Sequence, residues 1–72
     1  MRVTYDSQVK TVYIHLRDQQ PGDSEHQCVV ECDKAKGQIV LDIDKHGRLI
    51  GIEVLGGGRA VPQELLDIAD RR

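Results

Sequence analysis

A chain of 72 residues holds one domain at the small end of the usual range, and its 39% hydrophobic and 31% charged residues are the balance of a folding chain, not a disordered one. Ten Lys and Arg stand against 12 Asp and Glu, a formal net charge of -2, and no basic stripe is dense enough to neutralise a nucleic-acid backbone. No apolar run approaches the ~20 residues of a membrane span, and Met1-Arg2-Val3-Thr4-Tyr5-Asp6 leads into no apolar secretion segment, which predicts a cytoplasmic protein without membrane or nucleic-acid partners.

The first predicted strand covers about residues 1–5, where Val3 and Tyr5 alternate with Arg2 and Thr4. A polar connection follows, in which only Val9 is expected to point inward. The second strand, about 11–17, sets Val12, Ile14 and Leu16 against Tyr13 and His15. Turn formers at 18–25 separate it from a third strand at about 26–32, which carries Cys28 and Cys32. Four residues of extended chain put those cysteines ~13 Å apart, beyond disulfide reach, so both are read as reduced thiols.

The next two strands, about 38–44 and 48–55, form a hairpin around Lys45-His46-Gly47. A two-residue His46-Gly47 turn pairs Ile43 with Ile50, Leu41 with Ile52 and Ile39 with Val54, at the cost of a positive φ at His46. A three-residue bulged loop would set Leu41 opposite Gly51 and Ile39 opposite Glu53, so side-chain parity favours the shorter turn. The opposite hairpin face then carries Val40, Asp42, Asp44, Leu49, Gly51, Glu53 and Leu55, joined by Tyr13, His15 and Val29 from neighbouring strands. After Gly56-Gly57-Gly58 a helix is predicted over about 62–71, with Pro62 in its first position, Glu64 in its first turn and Leu65, Ile68 and Ala69 on one side. Arg71 and Arg72 would close it favourably against the helix dipole.

The predicted fold is therefore a single α+β domain: an antiparallel meander of about five strands with one C-terminal α-helix. With Tyr5 and Tyr13 as its only aromatics, the chain must build its core from Val, Ile and Leu. A chain this short buries only ~60% of its unfolded surface. Lacking a disulfide or an evident metal cage, it has self-association as its route to more buried area. One helix covers one face of a sheet, so Tyr13, Val29, Val40, Leu49 and Leu55 on the other face are the candidate interface, most simply of a homodimer.

Two stretches carry a resemblance. Tyr5-Asp6 followed by Tyr13-Ile14-x-Leu16 is similar to the opening of the short prokaryotic proteins grouped as domain of unknown function 2283. The run Gly37-x-Ile39-Val40-Leu41-Asp42-x-Asp44-x-x-Gly47-Arg48-Leu49-Ile50-Gly51-Ile52-Glu53-Val54-Leu55 resembles that family's central hairpin, and Val61-Pro62-x-Glu64-Leu65-Leu66 its helix start. The chain departs from the pattern at His46 and in the cysteine-bearing strand. The resemblance implies this architecture and no established biochemical role. Some family members look like small proteins encoded beside toxin-like genes, which implies a toxin-antitoxin-like partner.

Chemistry-bearing residues are few. His26 and Cys28 share a strand face with Cys32 further along, yet their spacing does not make a closed zinc cage. Pairing the second strand with the third, so that Leu16 meets Cys28, Ile14 meets Val30 and Val12 meets Cys32, makes the cysteines small core residues instead. His15 lies on the face opposite the thiols, and Ser7 and Ser24 lack a nucleophile elbow, which leaves no catalytic set. Asp42, Asp44 and Glu53, with Glu31, could hold a hard cation or act as acid and base, but outward carboxylates on a sheet read first as a solvated row. Gly56-Gly57-Gly58-Arg59 lacks the Gly-Lys-Ser/Thr signature of a phosphate loop and reads as a flexible linker, with Arg59 as the one candidate anion contact. The expectation is a non-enzymatic interaction or regulatory module with no cofactor and no metal, acting as a homo-oligomer or within a protein complex. The alternatives are a small-ligand or anion-binding protein using Arg59, His15 and the acidic face, and an enzyme whose catalytic residues cannot be named.

Overall fold

Alternation of aliphatic and polar residues produces strands where the sequence shows it. The computed structural model describes residues 1–71. Its strands are β1 (Arg2–Asp6), β2 (Thr11–His15), β3 (His26–Val30), β4 (Gln38–Ile43) and β5 (Leu49–Leu55). A 3-10 turn at Gly57–Arg59, helix α1 (Gln63–Ile68) and a short strand β6 (Asp70–Arg71) complete the chain. The architecture is α+β, with six strands in the order β3-β4-β5-β2-β1-β6, all antiparallel except the β1–β6 pair.

The simple meander is thus corrected. β3, β4 and β5 do follow one another, but β2 pairs with β1 and β5, not with β3. Aliphatic content explains the exchange: Val12 and Ile14 lie opposite Val54 and Ile52, building a continuous apolar row, while the more polar His26-Gln27-Cys28-Val29-Val30 takes the edge. The pairs Leu16–Cys28, Ile14–Val30 and Val12–Cys32 do not form, and both cysteines are exposed rather than core residues.

The hairpin between β4 and β5 resolves its parity problem differently from the two-residue turn. Gly47, at φ 79, donates its N–H to the Asp44 carbonyl (3.0 Å), and Asp44 donates to the Arg48 carbonyl (2.8 Å), closing a three-residue loop. Ile43 then pairs with Leu49 and Asp42 with Gly51, leaving Ile50 as a bulge residue. The bulge cancels the shift introduced by the loop, so the expected pairs Leu41–Ile52 and Ile39–Val54 form while Ile43–Ile50 does not. Positive φ falls on Gly47, not on His46. Beyond the bulge Leu49 also changes sides, standing opposite Ile43 on the face of the aliphatic row.

Helix α1 is shorter than the spacing predicts. Pro62 caps it from just outside, and Ala69 is already extended, so Asp70–Arg71 pairs parallel with Thr4–Tyr5. Arg71 lies 5.3 Å from the Tyr5 ring centroid instead of ending a helix, and the role expected of Arg72 falls outside the described residues. Leu66 is the buried helix residue, packed with Val3, Val12 and Val54, while Leu65 and Ala69 flank that cluster and Ile68 is exposed. Val9, expected inward, is also exposed.

Cross-strand rows define two faces. On the helix side run Cys28–Leu41–Ile52–Ile14–Val3 and Val30–Ile39–Val54–Val12–Tyr5. On the other side run Gln27–Asp42–Gly51–His15–Arg2 and Val29–Val40–Glu53–Tyr13–Thr4.

Candidate functional site

Among the described residues, the polar face carries a concentrated set of hydrogen-bonding side chains. Tyr13 faces Glu53 directly but leans diagonally across Gly51, and its hydroxyl donates a short hydrogen bond to Asp42 Oδ2. Gly51 permits this, because a Cβ at that position would collide with the Tyr13 hydroxyl. Asp42, only 4% exposed, also accepts from Ser24 Oγ (3.1 Å) and Gln27 Nε2 (3.0 Å) at Oδ1. Gln19 Nε2 donates both to the Tyr13 oxygen (2.8 Å) and to the Ile50 carbonyl (3.1 Å). Among the described residues, no buried side-chain polar atom lacks a partner.

Asp44 plays a parallel part at the hairpin end. Its Oδ1 accepts the backbone N–H groups of His46 and Arg48 (2.9 Å each), and its Oδ2 accepts Arg48 Nε (3.2 Å) and faces Arg17 Nη2 (3.5 Å). Those interactions, the Arg48 backbone bond foremost, hold its carboxyl below the usual carboxylate range. Both aspartates bind side chains of residues 17–24, the segment that carries the chain from β2 past β5 and β4 to the β3 edge. They clasp that crossover to the sheet. The solvated carboxylate row is therefore corrected: Asp42 and Asp44 are buried and occupied, whereas Glu53 is half-buried and Glu31 exposed.

Chemically, this arrangement stabilises structure. Burial, and then the Asp42 hydrogen bond, push the Tyr13 phenol up to about 12, so at neutral pH it is a proton-bearing donor and not a base. Beside it a shallow depression of about 420 Å³ is lined by Thr4, Thr11, Tyr13, His15, Asp42 and Glu53. The His15 and Tyr13 ring centroids are 4.5 Å apart, and His15 Nε2 is 3.4 Å from Thr4 Oγ1.

The sequence-predicted interface residues are divided by this geometry. Tyr13, Val29 and Val40 lie on the polar face, where Tyr13 is engaged with Asp42, Val40 is buried and Val29 is exposed. Leu55 pairs with Thr11 and Gln38 on the same face, and Leu49 lies on the other. Arg59 is exposed on the 3-10 turn. The expected flexible linker is instead fastened: the N–H groups of Gly56 and Gly57 both donate to the Lys10 carbonyl (3.2 and 2.8 Å), so these donors do not face an anion. Among the described residues no three His, Cys, Asp or Glu side chains gather as metal ligands. The thiols and His15 lie on opposite sides of the sheet wherever both are in strands, Cys28 with the aliphatic row and His15 with the polar one.

Ser24 and Gln27 as partners of Asp42, and Gln19 as a partner of Tyr13, are absent from the sequence-level candidates. A signal was available in Gly51, since a glycine inside an aliphatic strand marks close approach by a neighbour. Reading it required β2 beside β5.

A family model described as "Protein of unknown function (DUF2283)" matches residues 2–56, from β1 through the end of β5, and the chain belongs to that family. Neither the curated proteins nor the solved structures contain a match to it.

Proposed function

We propose that this member of the domain of unknown function 2283 family is a non-enzymatic interaction or regulatory module, acting in the cytoplasm as a homodimer or inside a protein complex, a toxin-like partner included. The polar network supports this by being complete within the chain: its carboxylates are occupied by the fold's own donors. One observation carries the reading. The helix-side face is aliphatic across all of β2 to β5, yet α1 packs on its β1 side, and Leu16 just after β2, Leu49 in β5 and Val30 on the edge strand β3 are each more than a third exposed. Contiguous exposed apolar surface on a small soluble domain marks an association surface.

Native mass spectrometry of the protein purified from its own host is the test. The expected species is a multiple of the 8.1 kDa chain or the chain with a protein partner. A bare monomer at every concentration, with nothing co-purifying, overturns the reading.

A further inference from the structure

Resting on that reading, we infer that the uncovered half of the aliphatic face is closed by a second copy of this chain, packed face to face over β3, β4 and β5. The first argument is area. A compact monomer of this mass exposes about 4,500 Å². This chain exposes 5119 Å², about 600 Å² more than that, so it leaves more surface open than a self-sufficient monomer of its mass. The shape agrees: the Cα radius of gyration is 12.0 Å, against about 11 Å for a compact domain of this length.

Charge is the second argument. The rows Cys28–Leu41–Ile52 and Val30–Ile39–Val54 hold no formal charge, and charges border the patch at its hairpin end, where Arg17 and Arg48 stand with Asp44 beside Leu16 and Leu49 and His26 faces Ile43. A twofold dimer brings one patch against its own copy, so an uncharged strip meets itself without like-charge repulsion. It offers a strongly charged partner nothing to pair with.

Face-to-face packing is also what the third observation selects. β3 has an outer edge that pairs with no strand among the described residues, and it holds neither Pro nor Lys to blunt that edge. Joining two such edges would only extend the sheet, setting the two uncovered aliphatic halves side by side in water. Stacking the halves ~10 Å apart buries them, with α1 of each copy continuing the cover over β1 and β2.

The test compares two faces of one strand. Val30 (37% exposed) lies on the aliphatic face and Val29 (54% exposed) on the polar face, so Asp at either position leaves the monomer's interior intact. Wild type, Val29→Asp, and Val30→Asp combined with Leu49→Asp are weighed by native mass spectrometry, with far-UV circular dichroism confirming the fold. The expected result is a dimeric wild type and a dimeric Val29→Asp, with dimer affinity weakened at least ~tenfold in the double variant. Iodoacetamide labelling adds a readout that needs no mutation. As dimer forms with rising concentration, alkylation of Cys28 should slow while that of Cys32, outside β3, should not.

Loss of dimer in Val29→Asp alone moves the interface to the polar face and overturns the inference, leaving the interaction module standing. Loss in both variants indicates edge pairing and overturns it likewise. A wild type that is monomeric but holds another protein overturns the second-copy occupant only, whereas a monomer with no partner sinks both readings. If the double variant fails to fold, Cys28 protection decides: unchanged Cys28 reactivity in a dimer overturns the inference.

Discussion

The two faces of this sheet reach stability by opposite means. The polar face carries buried carboxylates, which would be costly alone, yet each is occupied by the chain's own donors, from β2, the crossover and β3 for Asp42 and from the hairpin loop and Arg17 for Asp44, so the face is complete within one chain. The aliphatic face needs only cover, and the six-residue helix α1 supplies it to β1, β2 and the Val54 end of β5. Hydrogen bonds can be closed locally by a few side chains, whereas apolar area can be closed only by an object of comparable size. A 72-residue chain with a single short helix is short of such objects.

The covered end of the aliphatic face is where a substitution should cost most. Leu66→Ala removes the buried contact of α1 with Val3, Val12 and Val54, and core truncations of this kind cost about 2–5 kcal/mol. For a domain whose total stability is on the order of 5 kcal/mol, urea unfolding should begin near zero denaturant. Val30→Asp with Leu49→Asp, at two sites more than a third exposed, should cost the monomer less than Leu66→Ala does. Equal losses at the two ends would erase the distinction between them.

On the polar face the corresponding change is Asp42→Ala. It strands the donors of Tyr13, Ser24 and Gln27 at once, and an unsatisfied buried group costs about 1–3 kcal/mol. Hydrogen exchange should show faster opening of residues 17–24, with β1 and β2 much less affected. Asp42→Asn, which keeps one acceptor oxygen, should fall between the variant and wild type. An Asp42→Ala protein with unchanged stability would show that the network does not hold the crossover and would reopen the depression beside it as a ligand site.

Most of the strands are legible in the sequence because period two is a local property: Val12-Tyr13-Ile14-His15 and Ile39-Val40-Leu41-Asp42-Ile43 state their faces without reference to anything distant. The hairpin shows where locality ends. Parity correctly pairs Leu41 with Ile52, but the same parity is reached through a three-residue loop plus a bulge at Ile50, and these two irregularities cancel in the pattern. Strand order is less legible still, since β2 could satisfy its alternation beside β3 or beside β5. Only the competition between a polar and an aliphatic neighbour decides, and with it go the assembly of Tyr13 over Gly51 and the burial of Asp42. The helix end was obscured by ordinary chemistry as well: Arg71 suits a helix C-terminus, but it also suits the face of the Tyr5 ring, and β6 takes it there.

The gentlest probe of the polar face is Tyr13→Phe, which removes one donor and leaves Asp42 with Ser24 and Gln27. At neutral pH the loss should be about 1–3 kcal/mol, because Ser24 and Gln27 bond Oδ1 and the buried Oδ2 loses its Tyr13 donor. Alkali sharpens it. The folded chain holds the Tyr13 proton up to about 12, above the ordinary value of 10.0, so between these values the folded state binds a proton that the unfolded state has released. The stabilisation is fully present below about pH 10 and is lost as the pH rises through about 12. Wild type should therefore lose stability across that interval more steeply than Tyr13→Phe, and the two urea midpoints should converge at its upper end. Parallel curves would mean that the phenol does not titrate there and that Asp42 is held by its other two donors alone.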